Sequence, residues 1–529
     1  MQVKSDKVIL SNLSALKAKY GTAGVRAVTL AVRRLIEADR DRGLTTLFIP
    51  IDDAGAMRKY SARPVTQASN ARQNKAAVDA LYAALAPDYI LLLGSSDVIP
   101  QQQLKNPVYT TPRGDDTDRY APSDLPYACE AGYGQIIASF MGPTRVVGRL
   151  PDVAGANEPS YLLSIIKSAA ESRPRNREDY QGHFVVSAQV WEDSTRQSMR
   201  ALFGNSDGVL PVPPRSSAWA PALVKQRVHF INCHGASHAS EFFGQPKSGK
   251  EQYPIALKAS YIAGKIALGT IAAAECCYGG QLERVSPSHP RVGICETYLD
   301  GGAWAFVGST TIAYGDVERN GDADLICQYF IENVLAGASL GRAFLQARQK
   351  FVRAASPLHP LDLKTLAQFN LYGDPSLVAV KTTFGAAVMP PVMGTMTARA
   401  ERSARHDRRR ELFQQGVSLS VHQPVVRKVA TTKAVSIRRL LYARAKEYRW
   451  APTALHSFSI GYRRGRATMP RALAESSAVP SAYHLLFCKP RGGRQRDKAS
   501  SELGIPNIVA LIGKEVNGTL VSYTSLRSR

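Results

Sequence analysis

The sequence predicts an α/β protein with a mostly parallel sheet flanked by helices, arranged as two lobes and followed by a small basic C-terminal module. Three observations lead there. Short apolar runs alternate with longer amphipathic stretches over about the first 380 residues. Several of those runs end at glycine. Charge changes abruptly near residue 391: from there to the end stand 26 Lys+Arg and 8 Asp+Glu, against 41 and 35 before it.

The apolar runs expected as buried strands are TLFIPI (46–51), YILLLG (89–94), TRVVGRL (144–150), HFVVSAQV (183–190), RVHFINC (227–233), KIALGTIAAAEC (265–276) and AWAFVGS (303–309). Between them, 25–43, 73–86 and 158–173 have helical periodicity, and a shorter helical pattern spans 255–264. Strand, helix, strand in repetition makes parallel crossovers, which cover both faces of the sheet and leave loops at the carboxyl ends of strands for a site. The expected units are an N-terminal lobe (1–155), a catalytic lobe (156–385), a Pro/Gly/Met-rich linker (386–398) and the basic module (399–529). Its last stretch, IPNIVALIGKEVNGTLVSY (505–523), reads as two strands around an Asn517–Gly518 turn.

Composition excludes two classes. No run of 18 apolar residues is present, so no membrane span is expected. Seven sparse cysteines, an odd number with no secretory-type apolar segment before them, do not make a disulfide framework; free thiols in a reducing cytoplasm are expected.

Two strand ends carry the chemistry. RVHFINCHGASH places His234–Gly235 after a strand, and AAAECCYGG places Cys277 and two glycines after another. Neighbouring parallel strands would set both on adjacent loops. A thiol is mostly protonated at neutral pH, and an imidazole can take its proton and later protonate a leaving amine. Gly235 and Cys277 supply backbone N–H groups for the oxyanion, where one lost donor typically costs about 2.7–4 kcal/mol. Adjacent strand residues point to opposite faces, so Cys276 fills core while Cys277 faces the histidine. A zinc site from Cys233, His234, Cys276 and Cys277 is disfavoured because both pairs are adjacent residues. His238 reads as a surface residue, and Asp97 and the Gly–Asp–Pro at 373–375 as structural.

These motifs resemble the caspase-like (clan CD) cysteine peptidases, most closely the gingipain-type C25 family. YILLLGSSDVIP, APSDLPYA (121–128), VVGRLP, GGAWAFVGST and FNLYGDPSL follow the family's order around the His–Gly and Cys–x–x–Gly pair. The resemblance implies a cysteine endopeptidase that needs no cofactor or metal, with Cys277 as nucleophile, His234 as acid/base and Asp124 orienting the histidine. For a basic P1 side chain, Asp316 is the candidate acid. It further implies a specific protein or peptide substrate, such as a gasdermin-like pore former in a bacterial defence or cell-death system. The Arg408–Arg410 run is a candidate site of self-cleavage. The basic module is open to three readings: docking a partner protein, binding nucleic acid, or contacting an anionic surface. The rival to the enzyme is a silent peptidase-like scaffold whose basic module does the binding.

Overall fold

Buried apolar runs that lack a second polar face must be covered on both sides, and here they join into one ten-stranded sheet. The computed structural model describes residues 5–214, 217–248, 252–286, 292–317, 319–355, 358–381, 394–420, 422–430, 435–464, 481–490 and 500–529. The expected linker lies outside them up to residue 393, as do 465–480 and 491–499 of the basic clusters.

The first half contributes β1 (Lys7–Ser11), β2 (Thr46–Pro50), β3 (Tyr89–Leu93), a hairpin of β4 (Gln102–Lys105) and β5 (Tyr120–Ser123), and β6 (Val147–Leu150). The second contributes β7 (His183–Ala188), β8 (Val209–Val212), β9 (Val228–Asn232), the small sheet β10 (His234–Gly235), β11 (Glu241–Phe243) and β12 (Ile255–Lys258), then β13 (Ile271–Ala274), β14 (Ala305–Ser309), β15 (Tyr314–Asp316) and β16 (Phe369–Tyr372). The main sheet runs β2-β1-β3-β6-β16-β14-β13-β9-β7-β8. β16, although late in the chain, lies with the first-half strands: β2-β1-β3-β6-β16 are mutually parallel, β14-β13-β9-β7-β8 are mutually parallel, and the two sets meet antiparallel where β14 pairs with β16. The carboxyl ends of the two sets of strands therefore lie on opposite rims of one sheet.

Helices cover both faces. Leu13–Asp41 starts where the Asn12 side chain accepts the Ala15 N–H at 2.9 Å, and it buries Leu16, Val28, Val32 and Leu35. Ala71–Leu85 is capped by Asn70 in the same way. The pattern at 255–264 is helical only over Ala259–Ile262; Ile255–Lys258 is instead a strand, because its alternating residues pair with β11.

The module adds β17 (His422–Val429), β18 (Trp450–Arg464), β19 (Ser481–Pro490), β20 (Val509–Val516) and β21 (Thr519–Ser528). These form an antiparallel sheet in the order β15-β21-β20-β19-β18-β17. Asn517 and Gly518 both have positive φ, 50° and 79°, as a tight hairpin turn requires. The helix Val435–Glu447 packs Ile437, Leu441 and Ala445 on Leu486, Val509 and Leu511. The Arg408–Arg410 run lies within the helix Gly394–Ser420, where Arg409 approaches Asp88 at 3.7 Å. The run is helical rather than extended, with the Arg408 and Arg410 side chains exposed.

The strand KVILS at the start of β1 carries a buried lysine. Lys7 meets Asp39 at 2.8 Å and also pairs with Asp374 of the Gly–Asp–Pro turn; all three side chains are inaccessible to solvent. Asp374 in turn accepts the Ser376 N–H at 3.0 Å. One cation thus ties β1 to the residues that close the sheet. Replacing Lys7 by Met leaves buried Asp374 without its cation and leaves Asp39 to Arg42, at 3.1 Å, so unfolding in urea should show a loss of roughly 3–5 kcal/mol, with the double replacement of Asp374 and Lys7 by apolar residues recovering part of it.

Candidate active site

β9 and β13 are adjacent and parallel, with Ile231 opposite Ala274. That register brings the two following loops into contact. A Cβ on Gly235 would overlap the carbonyl of Cys277, so only glycine lets the two backbones approach this closely.

His234 is fully buried between the rings of Trp191, 4.4 Å away, and Tyr253, 5.3 Å away. Its Nε2 donates to Gln245 Oε1 at 2.8 Å. That bond fixes the tautomer and leaves Nδ1 with a free lone pair; Nδ1 is buried and has no hydrogen-bond partner among the described residues. Burial, aided by Arg527 and Arg529, pushes the imidazole down to about 3. Cys277 follows β13. Its sulfur lies 3.3 Å from the Ala313 N and 3.5 Å from the Ala313 carbonyl, and burial pushes the thiol up to about 12. It is not hydrogen-bonded to His234.

The remaining expected site residues separate. Asp124 does not orient the histidine: Arg149 donates to both of its carboxylate oxygens, at 2.8 and 2.6 Å. Arg149 is buried and requires that counter-ion. The orienting group is Gln245. Asp118, six residues before Asp124, is the acid that supports the cysteine loop, accepting from Tyr278 Oη at 2.9 Å and the Ile312 N–H at 2.7 Å. Asp316 is not the pocket acid either. Its side chain meets Arg319 at 3.4 Å, and it follows Gly315 on β15, so the two face opposite sides.

The cleft is filled. β21 pairs antiparallel with β15, and Arg529 follows it into the site, fully buried. The Arg529 N–H donates to the Ala313 carbonyl at 3.0 Å. Its carbonyl oxygen accepts from the Cys277 N–H at 3.2 Å and from the Gly235 N–H at 3.4 Å. Its guanidinium donates to both carboxylate oxygens of Asp324, at 2.8 and 2.7 Å, and to Asn232 Oδ1 at 3.0 Å, and lies 4.7 Å from the Trp191 ring. Gly315 forms the wall: a Cβ there would overlap the guanidinium. Buried Glu275 stands beside Asp324, and burial together with that neighbour pushes its carboxyl well above the usual range.

Sequence reasoning missed Asp324 because NGDAD reads as a helix start, and Asp324 does also accept the Gly321 N–H at 3.2 Å. Asn232 had a usable signal: it is a polar residue that ends a mostly apolar strand two before His234, hence on the same face.

Among the described residues one cluster has the ligand types of a metal site. Asp322, His359 and Asp362 lie close enough to share a cation. Yet His359 Nδ1 accepts the Asp362 N–H at 3.1 Å, so its other nitrogen carries the proton and faces Asp362 at 3.3 Å. The sulfurs of Cys233, Cys276 and Cys277 face three different carbonyls, those of Val186, Ile231 and Ala313, so they do not converge on a zinc ion.

Residues 271–380, which include Cys277 and Asp324, match the model of Peptidase family C25, and the chain is related to those cysteine peptidases. Among solved structures, one protease is 12% identical, with 100% of this chain and 98% of that chain covered and a TM-score of 0.47. The Arg-specific cysteine proteinase gingipain R is 11% identical over 99% and 98%, with a TM-score of 0.46. The complex of Porphyromonas gingivalis RgpB pro- and mature domains is 11% identical over 98% and 99%, at 0.45. No curated protein is detectably similar in sequence.

Gln245→Glu would place a carboxylate on Nε2 and favour the imidazolium, raising the histidine's pKa. Nδ1 would then hold its proton, and stop acting as a base, at higher pH. The acidic limb of the kcat/KM profile for a small peptide should move up by about one pH unit or more, while Gln245→Ala should lower the rate without moving that limb upward.

Proposed function

From a chain related to the C25 cysteine peptidases, we propose an endopeptidase that hydrolyses the peptide bond after an arginine, through a His234–Cys277 dyad. The observation that supports it is the seat of Arg529: one residue has its carbonyl oxygen on two backbone N–H groups beside the cysteine and its guanidinium on a buried carboxylate.

In this reading, the substrate strand adds to β15 as β21 does, and its P1 arginine enters between Trp191 and Gly315 onto Asp324. His234 Nδ1 takes the thiol proton as the sulfur of Cys277 attacks the carbonyl carbon. The N–H groups of Gly235 and Cys277 hold the oxyanion. Collapse breaks the C–N bond; His234 delivers the proton to the departing amine and leaves a thioester on Cys277. Water then attacks the thioester, losing its proton to Nδ1, and the carboxylate product and thiol are released. A guanidinium suits this pocket better than an ammonium, because one of its nitrogens serves both Asp324 oxygens while a second reaches Asn232, and its flat face lies over Trp191.

Seven cysteines that are all buried and unpaired support a reducing compartment as the setting. Among the described residues no helix is long and apolar enough to cross a membrane.

An arginine-directed acyloxymethyl ketone should label Cys277 alone among the seven cysteines, and His234→Ala should slow that labelling at least tenfold; uniform labelling of the thiols, or none at Cys277, would sink the dyad. The pocket is tested separately. Asp324→Asn should lower the ratio of kcat/KM for a P1-arginine peptide over its P1-leucine counterpart on the order of 100-fold, since it leaves a buried guanidinium without its charge partner. An unchanged ratio would move the specificity elsewhere.

A further inference from the structure

β21 belongs to two sheets at once. On one edge it pairs with β15 of the peptidase, Leu526 with Asp316, Arg527 with Gly315 and Ser528 with Tyr314. On the other it pairs along its length with β20 of the basic module, from Val516–Thr519 to Val509–Arg527. Ser528 is anchored again where its hydroxyl donates to the Pro506 carbonyl at 2.6 Å and its oxygen accepts the Ile508 N–H at 2.9 Å. Leu526, Ser528 and Arg529 are fully buried. The backbone of this segment thus takes the edge of β15, the oxyanion donors and the arginine pocket together, and no second strand can use any of them while it is in place.

Resting on the arginine-specific reading above, we propose that the C-terminal module is an inhibitor of its own active site, with Leu526–Arg529 bound as the P4–P1 residues of a substrate. The module is the scaffold that keeps this strand extended. One face of its sheet packs with its helix around Leu486, Leu511 and Trp450, and the other, through Phe458, Leu485 and Ile512, is continuous with the core of the main sheet. A strand delivered from a folded, tethered domain pays little ordering entropy and acts at a high effective concentration, on the order of millimolar for a short tether. Weak intrinsic affinity for a four-residue segment is then sufficient for occupancy. Activation becomes a local event: the β15–β21 pairing opens while β20 and β21 remain joined, and the site is exposed without unfolding the module. The charge of the tail adds to the effect, because Arg527 and Arg529 both disfavour a protonated His234 and so oppose the proton transfer that makes the thiolate.

The test uses the full chain and two variants. Arg529→Ala should raise kcat/KM for a short P1-arginine peptide at least tenfold, and adding the free peptide Leu-Arg-Ser-Arg should inhibit this variant competitively. Unchanged or lower kcat/KM in Arg529→Ala, with Cys277 still labelled stoichiometrically, would overturn cis-inhibition. Binding separates this outcome from failure of the peptidase reading. In a Cys277→Ala background, a fluorescent peptide ending in Leu-Arg-Ser-Arg should bind at least tenfold more tightly when Arg529 is also replaced by Ala. Equal binding with and without Arg529 would overturn the proposal whatever the chemistry. Tighter binding without hydrolysis by any cysteine-containing form would sustain the occupied cleft and overturn the peptidase.

Discussion

The contact of Gly235 with the Cys277 carbonyl is the constraint from which the site follows. It exists because β9 and β13 are parallel neighbours in register, so their carboxyl ends reach the same rim. Close approach aims two N–H groups at one point in space, where the Arg529 carbonyl oxygen sits. Everything else serves that geometry. Asp118 holds Tyr278 and the Ile312 N–H and thereby braces the loop against which the sulfur rests. Gln245 fixes the imidazole from the side away from its free nitrogen. Backbone donors in a buried site need no reorganisation when charge develops, which is why rigidity of two turns matters more here than any single side chain.

Much of this was legible in the chain. Buried parallel strands announce themselves as continuous apolar runs, so β2, β3, β6, β7, β9, β13 and β14 were all found, and with them the loops holding His234 and Cys277. What was not legible depends on partners distant in sequence. β1 hid because its apolar run is only three residues long, Val8–Leu10, and starts after a lysine; only Asp39 and Asp374, from two other elements, make that residue tolerable inside. Ile255–Lys258 read as helix because a four-residue segment cannot distinguish the two periods, and its pairing with β11 decided the matter. Asp124 and Asp316 are conspicuous acids in the right neighbourhood, yet each has a local arginine, Arg149 or Arg319. Asp324 is disguised as a cap.

The arginine pocket is not a passive slot. Glu275 and Asp324 are both buried, and one guanidinium faces them. Burial first, and the neighbouring Asp324 second, push the Glu275 carboxyl well above the usual range, which favours its protonated form. The guanidinium in the pocket meets Asp324, with Asn232 and the Trp191 face directing its plane. One guanidinium nitrogen serves both Asp324 oxygens and the other reaches Asn232, so a lysine would satisfy the charge but leave Asn232 without that donor. Under the proposed arginine specificity, selectivity would come from the polar atom left unsatisfied by the wrong side chain, a larger effect than shape alone provides in an apolar pocket.

The same linkage connects the tail to the dyad. The imidazole is depressed first by burial and then by Arg527 and Arg529. Any P1 arginine contributes the second of these charges, but Arg527 belongs to the P3 position of this particular strand. By reciprocity, a ligand that disfavours the protonated histidine is itself disfavoured once the proton has moved onto it. A substrate with a neutral residue at P3 lacks that opposition and leaves His234 a stronger base. The strand that fills the cleft is thus matched to the resting form, thiol protonated and imidazole neutral, and mismatched by one charge to the ion pair that precedes attack. A segment can in this way satisfy the pocket, the strand edge and the oxyanion donors as fully as a substrate does and still favour the silent form of the catalytic pair.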